Sequence, residues 1–124
     1  MTTICISASM RYRSEIKEVM GAFEKVGFKP LFPHLDVSTK NEDSAQTIAD
    51  KLFFARAHFA AIESSTILYV YCPKGYIGDS VKLDIGYALA LKKRIIFSEK
   101  TENTTFDGYP EAFISSDHLA DLKQ

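Results

Sequence analysis

The side chain with the clearest chemical potential is Asp84. It shares a helical stripe with Val81, Ala88 and Leu91, which sets a carboxylate on a largely apolar face. It lies about one turn inside the helix, where the benefit to an acid of the helix dipole fades. An apolar face desolvates the carboxylate instead, and beside a ligand cleft such a group is a candidate nucleophile or base. The loop Lys74-Gly75-Tyr76-Ile77-Gly78 leads into this helix. Gly75 and Gly78 suggest a flexible connection, and Asp79 or Ser80 suits the helix N-cap. Gly86, in mid-helix, costs on the order of 1 kcal/mol against Ala and suggests that another backbone or a ligand comes close.

A second stretch, Ser7-Ala8-Ser9-Met10-Arg11-Tyr12-Arg13, joins a strand-like run to a helical one. Small residues let a ligand approach the backbone, and helix N-terminal amides attract an anion. Ser9 can donate a hydroxyl hydrogen bond to a phosphate, and Arg11 or Arg13 can bind it bidentately. Equally, Ser9 or Ser14 can serve as an N-cap with the arginines in solvent, and spacing alone leaves the two readings level. Tyr12 and Tyr76 flank the same region, placed either to stack on a planar ligand or to pack half-exposed. His58 reads as a buried or interface histidine.

The elements that must position these residues alternate between strand and helix. Thr3–Ser7 is a short strand, and Ile16, Val19, Met20, Phe23 and Val26 mark a helix over Ser14–Val26 that Gly27 ends. Phe28–Pro33 contains two prolines and suits an edge strand. Asp36–Asp43 reads as a polar loop. A long helix over residues 45–63 carries Ile48, Leu52, Ala55, Phe59 and Ile62 on one stripe. Thr66–Cys72 is nearly all apolar, as for a central parallel strand. A helix over Ser80–Lys92, a strand at Ile95–Phe97, a polar loop from Ser98 to Pro110, a strand at Ala112–Ile114 and a short helix over Asp117–Leu122 complete the series. This order predicts an α/β fold: a single three-layer domain over residues 1–124, with a flavodoxin- or Rossmann-like parallel sheet of four to five strands and helices on both faces. Ligands of such sheets bind beyond the carboxyl ends of the strands, here near Ser7–Met10, Cys72–Gly78 and Ser98.

Composition narrows the function classes. The chain has 124 residues, 46% hydrophobic and 25% charged, with a formal net charge of −1. That supports one core and argues against a domain that grips a nucleic-acid polymer by bulk charge. No apolar run approaches a membrane span and Met1-Thr2-Thr3 opens no signal peptide, so a cytoplasmic protein with no membrane partner is expected. Cys5 and Cys72 lie in strand-like runs and read as reduced, buried thiols. The scattered His34, His58 and His118 offer no metal-ligand spacing.

Gly75-Tyr76-Ile77-Gly78-x-Ser80-x-x-x-Asp84-Ile85-Gly86-Tyr87-Ala88-x-Ala90, followed by Lys93-x-Ile95-Ile96, resembles the central signature of the nucleoside 2-deoxyribosyltransferase-like superfamily. His58-Phe59-x-x-Ile62-x-x-Ser65, leading into Ile67-Leu68-Tyr69-Val70, is similar to a short bacterial and archaeal branch of it. Ala8-Ser9-Met10-Arg11 resembles the phosphate-contacting turn of deoxynucleoside 5′-monophosphate N-glycosidases. The resemblance spans roughly residues 3 to 98. It implies cleavage or transfer of the N-glycosidic bond of a (deoxy)nucleoside or its 5′-monophosphate, with Asp84 as the carboxylate nucleophile and no cofactor. Ser7, Ser9, Met10, Arg11, Tyr12, Gly75, Tyr76, Gly78 and Ser80 would contact the small-molecule nucleoside or nucleotide. Three features depart from the family: Asp84 stands where a glutamate is usual, Ser65 where an aspartate is common, and Cys5 near the position of a tyrosine. A non-catalytic nucleotide-binding or sensing module on the same fold, or glycosidic cleavage of NAD, are the alternatives. The family also implies a homodimer or higher homo-oligomer, and Phe53, Phe54 and Phe59 exceed what one helix stripe can bury, which marks them either as an interface or as part of a helix buried all round.

Overall fold

The computed structural model describes residues 1–35 and 47–124; the expected loop at Asp36–Asp43 and the first residues of the long helix lie outside these ranges. The strands are β1 (Thr3–Ser7), β2 (Lys29–Leu31), β3 (Ile67–Val70), β4 (Arg94–Phe97) and β5 (Ala112–Phe113). They form one sheet in the order β2-β1-β3-β4-β5, and every adjacent pair is parallel. The helices are α1 (Arg13–Lys25), α2 (Ile48–Ser64), α3 (Asp79–Ala90) and α4 (Thr104–Asp107). The predicted α/β layering is what the chain adopts.

Side-chain alternation along the strands divides the core in two. Ile4 and Ile6 of β1, Ile67 and Tyr69 of β3 and Ile96 of β4 pack with Ile16, Val19 and Phe23 of α1. Cys5, Leu68, Val70, Ile95 and Phe97 point to the other face and pack with Ala61 and Ile62 of α2 and Val81, Ile85 and Ala88 of α3. The chain therefore leaves β1 toward one layer and β3 toward the other. The sheet order reverses between these neighbours, and a crevice opens at their carboxyl ends.

Local chemistry sets the element ends. Gly27 (φ +90) closes α1: its N–H donates to Glu24 O and that of Phe28 to Phe23 O, at 3.1 and 3.0 Å. Thr47 caps α2 by accepting from the Asp50 N–H at 3.1 Å. Pro30 lies in β2, which is an edge strand as expected. Both cysteines are free and buried.

Four expectations are corrected. The residue at the α3 N-cap position is Gly78, and it offers no side-chain cap; Asp79 occupies the first turn instead. The loop before α3 is clamped rather than flexible. The Gly75 N–H donates to Cys72 O and its carbonyl accepts from the Glu102 N–H, and a Cβ on Gly75 (φ +78) would stand 2.8 Å from Lys100 O. Gly86 is exposed, and a Cβ there would meet nothing within 4 Å, so no close approach explains it. The segment read as a last helix is a 3₁₀ turn, Leu119–Asp121, because Leu119 and Leu122 enter the core three residues apart. The loop after β4 also contains α4, whose N-terminus Asn103 caps by accepting from the Thr105 N–H.

Candidate active site

Asp84 lies at the crevice between β1 and β3. It is 6% exposed, and its neighbours Val81, Ile85 and Ala88 are fully buried or nearly so. Alternation along β1 turns Cys5 and Ser7 toward the α3 layer, and the fully buried Ser7 hydroxyl donates to Asp84 Oδ2 at 2.6 Å. Burial pushes the Asp84 carboxyl up from the usual carboxylate range to about 7, while the Ser7 hydrogen bond pulls it the other way. Burial, reinforced by Asp84, also raises the Cys5 thiol far above the ordinary thiol range, so Cys5 is inert packing beside the acid.

Asp84 opens onto a cleft of about 720 Å³, within the range of small-molecule sites. Ser9, Met10, Arg11, Tyr76, Gly78 and Ser80 line it with Asp84, so the two separate stretches singled out in the sequence converge. Ser9 is also an N-cap: its hydroxyl accepts from the Arg11 N–H at 3.3 Å at the start of a 3₁₀ turn over Met10–Tyr12. The guanidinium of Arg11 lies 3.6 Å above the centre of the Tyr76 ring, a cation–π contact at the cleft edge. Ser7 reaches the site through Asp84. Tyr12 and Gly75 are not among the lining residues. The Tyr12 hydroxyl donates to Pro73 O at 3.1 Å, tying the Met10–Tyr12 turn to the loop before α3, and Gly75 lets that loop pack against Lys100.

Sequence reasoning missed the opposite wall. Pro33, His34, Phe54, Ala55, His58 and Phe59 line the cleft from the segment after β2 and from α2. Phe59 stacks on Tyr87 of α3 with ring centres 4.5 Å apart, which sets α2 against the helix that carries Asp84. The surplus of aromatic residues on α2 was a usable signal. Phe54 and Phe59 are half-buried along the cleft, and Phe53 is 58% exposed. Of the helix stripe expected to be buried, Ile48 and Leu52 are exposed. Ser65 lies before β3, at the end of the sheet remote from the cleft, and its hydroxyl donates to Ala61 O at 2.7 Å; it closes α2 and does not reach Asp84. Among the described residues, no group of three or more His, Cys, Asp or Glu side chains is placed to hold a metal, and no helix is long and apolar enough to cross a membrane.

Comparison with solved structures returns the same architecture. A 2-deoxyribosyltransferase from the psychrotolerant bacterium Bacillus psychrosaccharolyticus aligns with a TM-score of 0.66, covering 98% of this chain and 93% of that enzyme at 12% identity. The chain has the deoxyribosyltransferase fold. A CMP N-glycosidase from Clostridium botulinum aligns over 96% of both chains, with a TM-score of 0.58 and 12% identity. A conserved protein from Enterococcus faecalis aligns over 78% of this chain and 62% of its own length, with a TM-score of 0.54 and 15% identity. No family model matches the sequence, and no curated protein does. The deoxyribosyltransferase fold agrees with the resemblance carried by the Gly75–Ala90 motif.

Proposed function

We propose that this protein breaks the N-glycosidic bond of a nucleoside or nucleoside 5′-monophosphate, with Asp84 as nucleophile. The observation that carries this reading is a buried carboxylate at the cleft, held by one oxygen to Ser7. Two enzymes of the same fold, a deoxyribosyltransferase and a CMP N-glycosidase, support the bond type.

The chemistry follows from the geometry. Ser7 fixes Asp84 Oδ2, which leaves Oδ1 to face the sugar. A lone pair of the ionised carboxylate forms a bond to the anomeric carbon. The bond from that carbon to the base nitrogen breaks, and its electron pair leaves with the base, which takes a proton from solvent. Positive charge on the sugar in the transition state is stabilised by the carboxylate, and burial strengthens that interaction. Water or a second base then attacks the same carbon and releases Asp84. Ser9 and Arg11 suit the phosphate or sugar end, and Ser80, at the start of α3 where Gly78 offers no side-chain cap, suits the ribose. The exposed Phe53 lies outside the cleft, whereas the exposed Ile48, Leu52 and Leu83 line it; a second copy of the chain seated there would complete the cleft, and sedimentation velocity checks it.

The test is incubation with a mixed panel of nucleosides, 5′-monophosphates and NAD, with free base followed by chromatography. Wild type is expected to release base from at least one member and Asp84→Asn from none; equal rates for the two proteins would remove the mechanism. The same burial also favours a second reading, a nucleotide-binding module without turnover. A carboxyl titrating near 7 is partly protonated at neutral pH, and an aspartate reaches one methylene less far than the glutamate usual in the family. Calorimetric binding with no free base at high protein concentration would favour that reading.

A further inference from the structure

The cleft has two chemically different ends. Hydroxyl and guanidinium groups from Ser9, Arg11 and Ser80 stand on the side of the β1 and β3 loops, whereas His34, Phe54, His58 and Phe59 form the wall contributed by α2 and the segment after β2. A ligand that places a sugar carbon at Asp84 and its anionic end at Arg11 directs its third part, a flat heteroaromatic ring, toward the aromatic wall.

One group in that wall is left unsatisfied. His58 Nδ1 is buried and has no hydrogen-bond partner among the described residues. The imidazole is held edge-on against Phe32, with ring centres 5.0 Å apart and planes at 83°, and Phe32 is itself buried. A buried polar atom without a partner costs about 1–3 kcal/mol, so each one in a native structure calls for a functional role or a missing partner. We propose that His58 is a specificity-determining residue, whose ring nitrogen hydrogen-bonds the edge of the leaving base and so selects which base the site accepts. The proposal rests on the glycosidic reading above, because that reading puts a base in this half of the cleft.

The charge state suits the role. Burial, reinforced by His34, holds the His58 imidazole down at about 4, so the ring is neutral at physiological pH. A neutral imidazole offers one donor and one acceptor and adds no positive charge near a sugar that is itself becoming cationic. Base edges differ in where they present donors and acceptors, so a fixed ring matches some bases and leaves others unpaired. Discrimination built on such a hydrogen bond exceeds what an apolar wall supplies.

The experiment compares wild type with His58→Phe, which keeps a flat ring against Phe32, and His58→Gln, which keeps a donor and an acceptor. For each, kcat and KM are measured on nucleosides and monophosphates carrying each of the common bases, and melting temperatures confirm folding. In parallel, the His58 ring nitrogens of the wild type are followed by ¹⁵N NMR as free bases are added. His58→Phe is expected to flatten the base preference by about 10-fold or more, chiefly through KM, with His58→Gln retaining part of it. The ring signals are expected to shift with the preferred base and not with ribose 5-phosphate. An unchanged preference, or a loss equal for all bases, with unmoved ring signals, overturns the proposal while glycosidic cleavage stands. A ring shift in a protein that releases no base from any substrate upholds the role of His58 and removes the cleavage reading. Neither release nor shift overturns both.

Discussion

Replacing Asp84 by Asn should make the protein more stable as well as inactive, by an amount that depends on pH. The Asp84 carboxyl has an ordinary value of 3.8 and is raised by burial to about 7 in the native state. Below pH 3.8 both the native and the unfolded carboxyl keep the proton, and the group contributes no pH dependence. Between 3.8 and about 7 the unfolded chain ionises while the native one stays protonated. Native stability therefore falls by about 1.4 kcal/mol per pH unit, a loss on the order of 4 kcal/mol. Above about 7 both states are ionised and the loss is constant. An asparagine carbonyl can accept the Ser7 hydrogen bond of 2.6 Å and carries no charge, so the variant escapes this loss. Urea unfolding of both proteins from pH 4 to pH 9 measures it: the Asn variant should gain on wild type as pH rises to about 7 and hold its lead beyond. A stability difference that does not change with pH, or a wild type more stable at pH 8, would refute the claim that Asp84 is desolvated at the cost of stability.

Two other substitutions probe the same geometry and its surroundings. The Ser7 hydrogen bond lowers the proton affinity of Asp84, so Ser7→Ala should move the acid limb of the kcat/KM profile to higher pH. It should also cut the rate about 10- to 100-fold at neutral pH, the worth of a hydrogen bond to a charged group; an unmoved limb would show that Ser7 does not govern the carboxylate. Gly86 is exposed in mid-helix with open space around its missing Cβ, so Gly86→Ala should stabilise the protein by about 0.5–1 kcal/mol, read as a higher melting temperature with activity unchanged.

Much of the fold was legible because its signals are local. The runs ending at Ser7, Cys72 and Phe97 and the three- and four-residue spacing from Ile16 to Val26 mark strand and helix directly, although the central strand itself stops at Val70. The same periodicity put Asp84 on a stripe with Val81, Ala88 and Leu91; Val81 and Ala88 are buried with it, whereas Leu91, at the helix end, is exposed. The hydrogen bond from Ser7, 77 residues away, depends on the register between β1 and the layer that holds α3, which no local pattern encodes. The aromatic wall stayed hidden for a similar reason. Phe53, Phe54 and Phe59 look alike in sequence, and only the packing of α2 against α3 puts Phe54 and Phe59 on the cleft and leaves Phe53 outside. The one-turn helix Thr104–Asp107 is too short to have a period and rests on its Asn103 cap. Gly86 was misread because a helix glycine looks the same whether something packs against it or nothing does.

The central claim is that Asp84 attacks the anomeric carbon, and the most direct test looks for the sugar on that side chain. Wild type and Asp84→Asn would be mixed with the nucleosides and monophosphates of the panel, quenched in acid within the first turnovers, digested, and mapped by mass spectrometry. The wild-type peptide that contains Asp84 should carry one sugar or sugar phosphate, and the Asn variant should carry none and release no base. Base released by the wild type with Asp84 never modified, and at the same rate by the Asn variant, would contradict the account.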